Sequence, residues 1–170
     1  MFKINAENLR WKSGGADEPC DLCLHGTTIA RIGGETFEFV DGTVSATGLY
    51  LLRTLTENRI QNDDEPQQPM LPCCGNTMIA NEDLTSVEIL GCDNGLDWSV
   101  LHEHGEIKLI TEDGNETAVS IADYTQEVYA FADKIEEFYK KCSLKQFEDK
   151  HDEDGYTAFW NEWRRRRGVK

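Results

Sequence analysis

Apolar and polar residues first alternate at Phe2 and Ile4 against Lys3 and Asn5, a period of two that predicts a short strand. Residues 12–19 are a loop by composition. Alternation resumes from Asp21 to Val40 as a hairpin. Leu22, Leu24, Thr28, Ala30 and Ile32 share one face, and Phe37 and Phe39 share a face of the return strand. Gly33-Gly34 forms the turn, because glycine accepts positive φ at little cost. Asp41-Gly42 ends this hairpin, and the period then lengthens. Val44, Gly48, Leu51, Leu52 and Leu55 recur at helical spacing, which predicts a helix capped by Thr43 or Ser45 and reaching about Asn58.

The second half starts with strands. Residues 77–80 and 86–92 alternate, and Asp93-Asn94-Gly95 reads as a hairpin turn into a strand carrying Leu96, Trp98 and Val100. Gly105 and the 112–115 stretch supply two more reversals, giving a meander of about four strands. Ser120 and Asp123 form a capping pair ahead of the stripe Tyr124, Val128, Phe131, Ile135 and Phe138. An acidic connection over 143–155 leads to a last helix, roughly 156–167, with Phe159, Trp160 and Trp163 at helical spacing. Strand runs with flanking helices, and no βαβ alternation, predict an α+β fold. The expectation is one domain over 1–170. It holds an antiparallel sheet of about six or seven strands, one internal helix and two C-terminal helices, with 143–170 as a candidate C-terminal helical appendage.

Charge changes the picture next. The 170 residues hold 17 Lys and Arg against 32 Asp and Glu, for a net charge of −15 and a pI near 4.6. Residues 164–167 are four arginines in a row, so the basic end is short and the rest of the chain is strongly acidic. A surface of that sign repels phosphate, which disfavours direct nucleic-acid binding and docking on anionic membranes. No apolar run approaches a membrane span, and residues 1–7 lack a signal-peptide core, so a cytoplasmic location with reduced thiols is expected.

The leading functional expectation is a non-enzymatic acidic module that binds a basic protein, as inhibitors and immunity-type proteins do. Its candidate contacts are Asp63, Asp64, Glu65, Asp152, Glu153 and Asp154. Trp160, Trp163 and Arg164 join them, because Trp and Arg are favoured at interface hot spots. The same aromatics at helical spacing also suit a core. A housekeeping role, with acidity serving solubility alone, is the bland alternative.

The six cysteines open a different class: a zinc-stabilised domain or a metal-dependent enzyme. Cys20-x-x-Cys23 with Cys73 and Cys74 offers four thiolates for tetrahedral zinc, although the adjacent second pair departs from the usual spacing. His102-x-His104 on a strand would project two imidazoles from one face. Residues 150–155 resemble the start of an EF-hand loop. Lys150 stands where that pattern needs an acid, so a solvated helix-entry loop with Asp154 as N-cap fits better.

Overall fold

The computed structural model describes residues 1–15, 17–61, 68–75 and 77–168. β1 (Phe2–Arg10), β2 (His25–Ile32) and β3 (Glu35–Thr43) form one antiparallel sheet in that order. β1 runs well past the alternation visible at Phe2 and Ile4. Phe2, Ile4 and Ala6 face inward, and then the register with β2 shifts between Glu7 and Arg10, where Asn8 has φ 53°. A bulge of this kind breaks the period of two, so the second half of the strand does not read as one. β3 likewise continues through Asp41-Gly42 rather than ending there.

α1 (Val44–Arg53) is shorter than its apolar spacing suggests, and every residue from Val44 to Leu52 is buried. It is a central helix, packed against α2 (Ile121–Tyr139), α3 (Lys150–Arg166) and β2, rather than a surface helix with one apolar stripe. Neither expected cap works as one. Thr43 occupies the N-cap position without a side-chain bond, and Ser45 Oγ accepts from the Leu24 amide instead.

The α+β class is as expected, with the strands among the described residues divided over four small sheets. β5 (Thr77–Ala80) pairs with β6 (Val87–Leu90), and β4 (Leu71–Pro72) pairs with β7 (Gly95–Leu96). β8 (Trp98–Glu103), β9 (Glu106–Thr111) and β10 (Glu116–Ser120) form a three-stranded meander. Asp93-Asn94-Gly95 therefore does not join β6 to β8 as a hairpin. Gly95 opens β7 opposite Pro72, and the loop before it is pressed against β4.

α2 begins as the spacing predicts: Ser120 Oγ accepts the Asp123 amide at 3.1 Å. α3 starts well before Tyr156. Asp149 accepts the Asp152 amide at 3.0 Å, and Asp152 and Glu153 sit in the first turn, where the helix dipole favours acids. Residues 150–155 are thus helical, which removes both the EF-hand loop and the Asp154 cap. Gly155 marks a close approach rather than a turn, since a Cβ there would lie 2.3 Å from the Met78 carbonyl oxygen of β5. Ala158, Phe159 and Trp163 of α3 join the same core as Leu49, Leu51 and Ile135.

One carboxylate ties these pieces together. Glu162 is 1% exposed and accepts Arg53 Nε and Nη2 at 2.9 Å each, Arg166 Nε at 2.8 Å and the Val87 amide at 3.1 Å. α1, α3 and β6 therefore share one charged node. Burial alone would raise the Glu162 carboxyl, but the hydrogen bonds and charge of Arg53, with Val87 and Arg166, hold it below its ordinary value. Such a group contributes stability above its unfolded pKa and loses it as pH falls through the folded one. Replacing Glu162→Gln should cost about 3–5 kcal/mol in urea unfolding near neutral pH, because Arg53 loses its carboxylate partner and Arg166 one of its two. The variant should also show a shallower loss of stability than the parent as pH drops below the ordinary carboxylate range; parallel pH profiles would count against this role.

Candidate functional site

Three thiols converge where β4 ends and β7 begins. Cys73 and Cys74 follow β4, and Cys92 lies in the loop between β6 and β7. Their sulfur atoms all lie within 4.8 Å of one another. Cys92 Sγ is 2.9 Å from Cys73 Sγ and 3.2 Å from Cys74 Sγ. The backbone sets this approach: Pro72 pairs with Gly95, and the Cys73 amide donates to the Asn94 carbonyl at 3.0 Å. Glycines on both sides of the Cys92 loop make room. A Cβ on Gly91 would lie 2.4 Å from the Cys74 carbonyl oxygen, and one on Gly95 would lie 2.4 Å from the Leu71 carbonyl oxygen.

The thiols are not equivalent. Its hydrogen bond to Cys92, with some desolvation, pushes Cys73 up to about 12. The bonds that Cys92 receives from Cys73 and Cys74 lower its own pKa. The Cys92 amide also donates to Cys74 Sγ at 3.0 Å. The cluster thus joins two half-buried thiols and one exposed thiol across two loops.

Of the four cysteines that the spacing proposes as ligands, Cys73 and Cys74 belong to this group, and Cys20 and Cys23 lie outside it. Cys20 is exposed. Cys23 is buried, its thiol donates to the Gly75 carbonyl at 3.6 Å, and desolvation pushes it up to about 12. It is a neutral packing thiol. Cys92 is the residue that spacing arguments miss. Its one sequence signal is the glycine on either side, Gly91 and Gly95, around a thiol otherwise assigned to a strand end. His102 and His104 do not share a face. His102 Nε2 lies 2.9 Å from the Thr54 carbonyl, and His104 sits in the β8–β9 turn with φ 51°.

No protein-family model, curated protein or solved structure matches the chain.

Charge is distributed in a second pattern. Asp63, Asp64 and Glu65 lie outside the described residues. Asp152 occupies the first turn of α3, and Glu153 and Asp154 pair with Lys150 one turn back. Trp163 is buried and donates its indole N–H to Glu136 at 2.8 Å. Half-buried Trp160 and exposed Arg164 line a groove of about 420 Å³ between α2 and α3, together with Tyr139 and Tyr156.

Four of the eight arginines turn inward. Arg53 and Arg166 hold Glu162, and Arg59 pairs with Asp97 at 2.9 Å with both side chains close to nine-tenths buried. Arg166 also reaches Glu57, and Arg167 pairs with Glu136 and Asp133 while stacking over Tyr129. Carboxylates remain outside. Glu103 and Glu106 face each other across the β8–β9 turn, with exposed Glu112, Asp113 and Glu116 around the next one. Lys108 bridges only Glu103 and Glu116 there.

The thiol environments set an order of reactivity. With reductant removed and the fold intact, iodoacetamide should label Cys92 at least about 100-fold faster than Cys23, because the thiolate is the reacting form. Peptide mass mapping over time reads this directly; equal rates would mean that Cys23 is not buried or that the cluster does not form.

Proposed function

We propose that the protein is a non-enzymatic binding module whose acidic exterior engages a basic protein partner, in the manner of an inhibitor or immunity-type protein that covers a cation-lined site. The observation that supports this best is the direction of its arginines. Arg53 and Arg59 are spent on buried carboxylates, and Arg166 and Arg167 each pair with two acids, which leaves Arg164 and Arg165 as the exposed cations of the C-terminal run. An exposed carboxylate in water retains most of its hydration and still contributes to the long-range field.

The β8–β10 turns give that field a focus. Glu103 and Glu106 sit in register on neighbouring strands, an arrangement that costs stability because like charges oppose each other. Lys108 offsets part of that repulsion through Glu103, and a cationic partner relieves the rest. The groove between α2 and α3 offers an aromatic edge at Trp160, but Lys140, Arg164 and Arg167 line it as well, so it suits an apolar contact of the partner rather than its cations. Asp152, Glu153 and Asp154 add negative charge at the far end of α3.

Charge of this kind acts mainly on association rate. Once a stoichiometric partner is captured at low salt and purified, its association rate should fall steeply as salt is added, with dissociation changing less. Neutralising the turns with E103Q, E106Q, E112Q and E116Q together should slow association by about tenfold and leave the circular dichroism spectrum unchanged. An acidic partner, or an association rate indifferent to both salt and these substitutions, would overturn the reading.

A further inference from the structure

The geometry points to a thiophilic metal site formed by Cys73, Cys74 and Cys92, with Zn²⁺ as its occupant and a fourth position left to a ligand from solution. This goes beyond the binding-module reading and does not depend on it.

The argument starts from the two loops. Pro72-Cys73-Cys74-Gly75 and Gly91-Cys92-Asp93-Asn94-Gly95 carry thiols at the points where the backbones come closest. Three pairs of contacts fix that approach: Leu71 with Leu96, Pro72 with Gly95, and the Cys73 amide on Asn94. The sulfur atoms cannot satisfy one another. A thiol is a weak donor and a weak acceptor, and three of them gathered at a half-buried site gain little from mutual contact. Three sulfurs also leave one over from any single disulfide.

A cation changes the balance. Zinc sits about 2.3 Å from thiolate sulfur, so tetrahedral sulfurs stand about 3.8 Å apart. The present separations of 2.9 and 3.2 Å need to open by less than an ångström to enclose an ion. The Cys92 amide already points at Cys74 Sγ, supplying the outer hydrogen bond that steadies a coordinating thiolate. Soft sulfur donors select Zn²⁺ and Cu⁺ over the hard Mg²⁺ and Ca²⁺, and an unoxidised thiol cluster suits the redox-inert ion. Among the described residues no His, Asp, Glu or further Cys completes the group, so the fourth ligand is solvent or a small exogenous anion. Loading releases the remaining thiol protons to solvent as three S–Zn bonds form, with no change of oxidation state.

Cobalt titration tests this. Full-length protein kept reduced with a phosphine should bind one Co²⁺ per chain with an intense near-ultraviolet sulfur-to-metal band, and Zn²⁺ should displace it. Cys92→Ser should weaken Co²⁺ binding by at least about tenfold and diminish that band. Cys23→Ser and Cys20→Ser should leave both unchanged, which separates this group from the alternative set. Thermal unfolding of each variant without metal confirms that it folds. Absence of the band in folded, fully reduced protein would overturn the proposal. So would retention of full affinity in Cys92→Ser, or a Cys73–Cys92 disulfide in protein isolated with its thiols trapped by alkylation.

Discussion

A carboxylate with almost no contact with water holds this fold in register. Glu162 takes two hydrogen bonds from Arg53, one from Arg166 and one from the Val87 amide, so the end of α1, the middle of α3 and the start of β6 meet at one point. A buried ion pair of this kind is weak evidence for net stability, because desolvating each charge is costly. Its consequence is geometric: either partner left alone would be an uncompensated charge in the core, so the three elements are bound to one relative placement. β6 then delivers its C-terminal loop, with Cys92, to the end of β4, and α3 delivers Trp163 beneath Glu136.

The same choice of where to put cations shapes the outside. A protein with net charge −15 has few positive groups to distribute, and this one places several of its arginines against acids within the fold. Exposed ion pairs contribute little each, while partly buried bidentate arginine pairs fix geometry. The exterior left behind repels other acidic surfaces and is attractive to basic ones.

Much of this was legible before any coordinates. The hairpin around Gly33-Gly34, the Ser120–Asp123 cap and the α2 stripe follow from local spacing, and the structure shows each. The failures share a cause: long-range contact overrode local pattern. Asn8 bulges β1, so half a strand lost its alternation. α1 reads as amphipathic and is buried all round, because α2, α3, β2 and β4 all pack on it. Residues 150–155 read as a helix-entry loop and are helical, with Gly155 pressed on Met78. The thiol site was half legible: Cys73 and Cys74 stood out by adjacency, whereas Cys92 joins them only because β7 pairs with β4, a contact no spacing rule encodes. Cys20 and Cys23 had the more familiar spacing, yet the fold buries Cys23 and leaves Cys20 exposed.

The node at Glu162 is the claim on which placement of both the thiol loops and the α3 aromatics rests. A double-mutant cycle between Arg53→Met and Glu162→Gln, read by urea unfolding at neutral pH, isolates the energy they share. Coupling of about 2 kcal/mol or more is expected for a desolvated bidentate pair. Additive effects, with coupling below about 0.5 kcal/mol, would contradict a shared buried node.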